Sequence, residues 1–293
     1  MACGRSIPRG LARPRRPDWR GDVLVQALCG RAGGQVPATL LVAAHPDDET
    51  VGAGANLGRL RHARFLYVTD GAPLDGHDAA RHGLSIDGYR ALRRQERDAA
   101  LALCGNAASQ AIDLGCPDQQ AARRLPSLAM DLAELFVSHR PEAVLTHPYE
   151  GGHPDHDATA FAVHAAAALL RRDGAAVPAL VEMTSYHHAT HGLQAERFLP
   201  DAQADAGLAT VHLDEEARRR KRALLACYAS QRETLAQFPV EAEQYRPAPR
   251  YDFTRPPHAG TLHYEHYAWG LSGAQFRRLA GDALVQLRLE GAL

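Results

Sequence analysis

The stretch Thr39-Leu40-Leu41-Val42-Ala43-Ala44-His45-Pro46-Asp47-Asp48-Glu49 decides the reading of the chain. An apolar run ends abruptly on one imidazole and three carboxylates, and the small-residue segment Thr50 to Leu60 follows. That order predicts a strand, a sharp turn and a helix. Open α/β sheets carry their chemistry in such turns, at the carboxyl ends of the strands. A second cluster, His153-Pro154-Asp155-His156-Asp157, follows another short apolar run, Ala143-Val144-Leu145-Thr146. In a doubly wound sheet two such turns can meet at one edge.

Working outward, repeated strand–helix spacing predicts an α/β fold, a Rossmann-like three-layer sandwich with a mostly parallel sheet and right-handed crossovers. Strands are expected at 39–43, 64–69, 110–114, 143–146, 180–184 and 210–213. Helices are expected at 22–30, 50–60, 87–104, 128–139, 157–172, 215–233 and 273–289. Residues 72–86 read as loop. The segment from Phe238, with Pro239, Pro247, Pro249, Pro256 and Pro257, reads as a proline- and aromatic-rich wrapping loop that reaches 267. The expected organisation is a disordered Arg/Pro-rich lead over residues 1–20 and one domain over 21–293.

The 293 residues, 45% hydrophobic and 23% charged, suit a globular chain with an ample core. A formal charge of -1 gives no nucleic-acid footprint. Cys3, Cys29, Cys104, Cys116 and Cys227 are odd in number and widely spaced, which argues against a disulfide framework and for a reducing, cytoplasmic setting. No run approaches the roughly 18 apolar residues of a membrane span.

A catalytic zinc site takes three protein ligands and leaves one position open for water. His45 and Asp48 in one turn and His156 in the other make a His₂Asp set of that kind. The set accepts zinc and also another divalent ion such as Fe²⁺. Asp47, beside a ligand, is the candidate general base. His153 is the candidate for oxyanion stabilisation or for protonating the leaving amine, and Asp155 for orienting a neighbouring imidazole. The plainer reading of either turn alone is a helix cap. Two clusters in equivalent turns favour the metal. Glu49 reads as bracing the turn and His147 as a satisfied polar group. The pairs His187/His188 and His263/His266 read as pocket lining or core. Arg93 and Glu96 read as a solvated i,i+3 pair.

At these residues the chain resembles the PIG-L (LmbE-like) family of zinc-dependent N-deacetylases. The resemblance runs from about Ala38 to Ser230 and is carried by A-H-P-D-D-E and H-P-D-H. Thr69-Asp70-Gly71, Arg93…Glu96, Gly151-Gly152 and Lys221…Tyr228-x-Ser230-Gln231 support it. It implies His45, Asp48 and His156 as metal ligands, Asp47 as base, His153 as its assistant, Asp155 as support and Arg93 as a sugar contact. Some sugar deacetylases of this family have a tyrosine just before H-P-D-H that helps bind the acyl carbonyl. Gly151-Gly152 stand there in this chain, and Tyr149, the nearest tyrosine, is the expected substrate contact.

The expected activity is removal of an N-acetyl group from an N-acetylglucosaminyl-type conjugate. The partner is then a small-molecule or glycoconjugate substrate. Relatives that assemble leave a homo-oligomer open. The alternatives are an amidase for another acyl group, such as an antibiotic's lipid chain or a thiol conjugate, and a non-catalytic sugar- or metal-binding module. Specificity is expected in 72–86, 186–199 and 238–267.

Overall fold

The apolar runs assemble into one seven-stranded sheet in the computed structural model, which describes residues 19–31, 36–189, 192–201 and 204–293. In chain order the strands and helices are α1 (Trp19–Leu28), β1 (Thr39–Ala43), α2 (Asp48–Ala53), β2 (Arg64–Pro73), α3 (His77–Arg81), α4 (Ile86–Leu103) and β3 (Ala111–Asp118). Then come α5 (Leu125–His139), β4 (Ala143–Thr146), α6 (Pro154–Arg172), β5 (Ala179–Met183), β6 (Tyr186–Ala189), β7 (Gly192–Ala195) and β8 (Ala209–His212). Helices α7 (Glu215–Leu225) and α8 (Arg232–Leu235), strand β9 (Ala242–Pro247) and helix α9 (Gly273–Leu287) complete the order. The lead expected over 1–20 lies, up to residue 18, outside the described residues.

The sheet order is β3-β2-β1-β4-β5-β9-β8. The first five are parallel, and β9 runs antiparallel to both neighbours. The expected Rossmann-like architecture is thus present, with an antiparallel edge added. All five residues of β1 are buried, as a strand covered on both faces requires. Leu40, Val42, Leu66, Val68 and Val144 point to one face, where they meet Leu128, Phe136, Phe161 and Phe276 from α5, α6 and α9. Leu41, Ala43, Phe65, Tyr67 and Leu145 point to the other and meet Leu24, Leu28, Leu57 and Leu101. Alternation along each strand therefore makes the three layers.

Five elements differ from the sequence reading, the first being the helix expected over 50–60, which as α2 stops at Ala53. Helix α3 occupies part of 72–86. The hairpin β6–β7 follows β5. The helix expected over 215–233 ends at Leu225, because Tyr228 (φ -91, ψ 61) turns inward and is fully buried against Glu49. Strand β9 lies inside the proline-rich segment and closes on Pro247, a position where a missing N–H is tolerated.

The order places β1 and β4 side by side where the winding reverses, so a crevice opens beyond their carboxyl ends. The Thr146 hydroxyl donates to the Val42 carbonyl across this seam (3.1 Å), and Nε2 of His147 accepts from the Ala44 N–H (3.0 Å). The two His/Asp turns are thereby locked together.

Candidate active site

The first turn is strained. Asp47 has φ 133°, which a side-chain-bearing residue rarely adopts and which costs about 1–3 kcal/mol. Several bonds hold it there. Its N–H donates to Glu49 Oε2 (3.1 Å). Glu49, fully buried, accepts at Oε1 from the hydroxyls of Thr50 (2.8 Å) and Tyr228. Nη2 of Arg93 donates to the Pro46 carbonyl (2.5 Å) and to Asp47 Oδ2 (2.7 Å). Hydrogen bonds to charged groups contribute about 1.5–3 kcal/mol each, so this set exceeds the strain. Gly71, at φ 65°, lets the guanidinium in: a Cβ there would lie 2.9 Å from Arg93 Nε and 3.1 Å from Pro46 Cδ.

Three ligand-type side chains face one another at the seam. His45 Nδ1 lies 3.3 Å from Asp48 Oδ2 and 3.3 Å from His156 Nε2, and His156 Nε2 lies 3.1 Å from Asp48 Oδ1. Ligands about 2.0–2.2 Å from a tetrahedral metal stand roughly 3.3 Å apart, so the spacing suits one ion. The other ring nitrogens are engaged. His45 Nε2 meets Asp118 Oδ1 (3.1 Å) and Asp155 Oδ2 (3.3 Å), both pure acceptors when ionised, so Nε2 keeps its proton, and a metal ion would take the place of the second proton, on Nδ1. His156 Nδ1 pairs with the Ser185 hydroxyl at 3.0 Å. Ligating histidines are oriented in this way through the far nitrogen.

The field of the site favours a cation. Burial opposes a charge on His45, yet Asp118, Asp155 and Asp48 outweigh it and hold its pKa well above the usual range. Burial likewise opposes ionisation of Asp48, and His156 and His147 overcome it. Overlapping sets, His45–His153–His156 and Asp48–His147–His156, also bring ligand atoms within 4.8 Å of one another. His147, however, spends Nε2 on the Ala44 N–H.

Asp47 differs from Asp48. Burial raises its pKa to about 7, against the lowering effect of Arg93. His153 caps α6: its Nδ1 accepts from the Asp155 N–H at 3.1 Å, and Pro154 follows at the first helical position. Burial and the neighbouring His45 depress the His153 pKa, which keeps the ring neutral with its proton on Nε2. Asp155 accepts from the Gln119 and Ala121 N–H groups (2.5 and 3.0 Å), tying the turn after β3 to that after β4.

These groups open on a cavity of about 280 Å³. The metal-type residues His45, Asp48 and His156, with Asp47 and His153, all border it, whereas Asp155 sits behind, fully buried. The three expected specificity regions contribute Pro73, Asp78, Tyr186 and Phe238. Sequence reasoning missed Asp118, Gln119, Gln231, Thr234, Leu235 and Trp269. Asp118 had a signal: it ends a post-strand turn, Gly115-Cys116-Pro117-Asp118, like the two turns that were singled out.

The two expected substrate contacts are engaged in other bonds. Tyr149 does not reach the cavity. It is buried among Tyr251, Phe253 and Phe276, and its hydroxyl donates to the Arg255 carbonyl at 2.9 Å. Gly151 and Gly152 turn the chain away from it. A Cβ on Gly152 would fall 2.0 Å from the Tyr186 carbonyl oxygen, so the hairpin β6–β7 occupies the space such a side chain needs. Arg93 borders the cavity, but it is 2% exposed and committed to Pro46 and Asp47, which makes it a holder of the turn. Its partner Glu96 is buried too and accepts from the Ser230 N–H (2.7 Å) and hydroxyl (2.6 Å), so the pair is not solvated. His187, on β6, stands 3.4 Å from Glu150, and His188 stacks with His263 and lies tilted against His266.

A strand-edge site with a His₂Asp triangle has the donor set and the spacing that one divalent ion takes. Residues 40–167 match the PIG-L family model, described as GlcNAc-PI de-N-acetylase, and the resemblance is borne out over that stretch. The chain is similar in structure to the A40926 pseudoaglycone deacetylase (24% identity, TM-score 0.54, covering 74% of this chain and 98% of that one). It is similar to a deacetylase of teicoplanin biosynthesis (21%, 0.53, 73% and 99%). It is also similar to the N,N'-diacetylchitobiose deacetylase from Pyrococcus horikoshii (18%, 0.50, 78% and 85%). At these identities the likeness is one of fold. A comparison with curated proteins finds no match. Among the described residues no helix is long and apolar enough to cross a membrane.

Proposed function

We propose that the chain is a metal-dependent N-deacetylase that hydrolyses the acetamide of an N-acetylglucosaminyl-type conjugate to acetate and a free amine. The observation that carries this reading is Asp47: a carboxylate held at φ 133° beside the ligand triangle, bordering the cavity, with its pKa raised to about 7. A group that only packed or only capped a helix would not need that strain.

His45, Asp48 and His156 would hold a zinc ion, and the same donors accept Fe²⁺. Such an ion supplies Lewis acidity, which polarises an amide carbonyl and makes water acidic near neutral pH. Asp47 takes the proton of the attacking water, for which a pKa near the working pH is best suited. It then returns that proton to the amine nitrogen as the C–N bond breaks. His153, neutral and holding its proton on Nε2, donates to the carbonyl oxygen as negative charge develops there. Arg93 keeps the Asp47 carboxylate turned to its task, and Asp118 and Asp155 keep the His45 ring in one tautomer.

The size and chemistry of the cavity support a compact polar substrate. About 280 Å³ lies at the small end of ligand pockets. The matched family and the P. horikoshii neighbour are named for substrates that carry acetylated amino sugars. The test is acetate release from a panel of N-acetylglucosaminyl conjugates, with metal content measured on the same samples. Release that a chelator abolishes and zinc restores is expected. Stoichiometric metal without release from any member, or faster cleavage of longer-chain amides, would overturn the acetyl assignment.

A further inference from the structure

We infer that Trp269 is the platform on which the substrate's sugar ring packs, and that it selects a pyranose over an acyclic amide. The substrate class rests on the deacetylase reading; the position of the platform does not.

Trp269 borders the cavity. Its indole lies nearly parallel to Tyr267, with centroids 4.6 Å apart and planes 11° apart, and its centroid is 4.6 Å from that of His153. Neither Trp269 nor Tyr267 belongs to the hydrophobic cores among the described residues, and Tyr267 is 47% exposed. The pair therefore does little to hold the fold. A half-buried indole and an exposed phenol in a loop, stacked on each other at the edge of a polar cavity, need another reason.

The segment that carries them is fastened. The His263 N–H donates to the Gly151 carbonyl (2.8 Å), Glu265 accepts from the Leu262 and Gly273 N–H groups (2.9 and 2.8 Å), and Arg123 donates to the Gly270 carbonyl (3.2 Å). Rings in contact run from His156 through Tyr186, His263, Tyr267 and Trp269 to His153, forming a collar around the reacting groups. A preorganised aromatic surface loses little freedom on binding.

The chemistry fits a pyranose. One face of such a ring is a sheet of polarised C–H groups, which packs on an electron-rich indole. Its rim is hydroxyls, and the same cavity offers Asp78, Gln119, Gln231 and Thr234. An acyclic amide has the polar groups without the flat face. Because the indole touches His153, a ring seated on it brings an acetamido substituent beside that imidazole.

Two measurements test this. In the first, methyl N-acetylglucosaminide and N-acetylethanolamine are compared as substrates of metal-loaded enzyme. Trp269→Ala should raise KM for the glycoside about 10-fold with kcat nearly unchanged, in line with aromatic packing energies. Trp269→Phe should recover most of the loss, and kcat/KM should fall several-fold less for the acyclic amide than for the glycoside. The second uses the fact that the sequence has only two tryptophans, Trp19 and Trp269. In Trp19→Phe, emission from Trp269 should shift saturably on titration with glucosamine and not with ethanolamine. Saturable binding without hydrolysis of either amide would support the platform and overturn the deacetylase reading. Normal hydrolysis with an unchanged KM in Trp269→Ala, or emission indifferent to sugar, would overturn the platform.

Discussion

The floor of the cavity and its walls are built differently. The floor comes from the turns after β1, β3 and β4, within the part of the chain that matches the family model. Each of its groups is fixed by buried, charge-assisted bonds: Arg93 to Asp47, Asp118 to His45, backbone N–H groups to Asp155. The walls, Tyr186, Leu235, Phe238 and Trp269, come from beyond that stretch and are held largely by ring packing. A floor of this kind sets what reaction takes place. A wall of this kind sets which molecule undergoes it.

Substitutions can break that division. On the floor, His156→Ala should abolish metal binding and turnover together, as read by metal analysis and acetate release. Arg93→Ala should come next. It leaves the Asp47 and Glu96 carboxylates buried without their cation, and breaking a buried pair costs about 3–5 kcal/mol, visible as a lowered denaturation midpoint. Turnover should fall about 100-fold with metal retained, because Asp47 loses the bond that aims it. Arg93→Lys should rescue stability more than rate, since lysine keeps the charge but not the fork that reaches Asp47 with Nη2 and Glu96 with Nη1. A rate equal to wild type in Arg93→Lys would show that the fork does not aim the base. On the wall, the Trp269 substitutions described above should move KM far more than kcat. Tyr149→Phe should have the smallest effect: it deletes one hydrogen bond to the Arg255 carbonyl, about 1 kcal/mol of stability, and leaves KM unchanged. A raised KM in that variant would return Tyr149 to the substrate site.

The same division decides what could be read from the sequence. Strands β1, β2, β4 and β5 are apolar runs buried on both faces, so their signal is strong. The motifs of the floor sit at their ends, where sheet topology puts chemistry. Strand β9 hid because two of its three buried side chains are charged. Glu243 lies beneath Lys221 (3.2 Å) and Asn56 (2.7 Å), and Arg246 pairs with Glu182 (2.9 Å). Hydropathy cannot separate a paired, buried charge from a solvated one, and the same blindness made Arg93 and Glu96 read as surface. The break in the helix after Leu225 depends on Tyr228 reaching Glu49, a contact across 179 residues. Trp269 was invisible for a related reason: its partners, Tyr267 and His153, come together only in the folded chain.

The role of Asp47 as general base is tested by acetate release from an N-acetylglucosaminyl conjugate, wild type against Asp47→Asn at equal metal content. The amide cannot take a proton but keeps the size and the bond from Arg93. A fall of about 10²–10⁴ in kcat is expected, as for loss of a general base, with metal bound as before. Equal rates at equal metal content would contradict it.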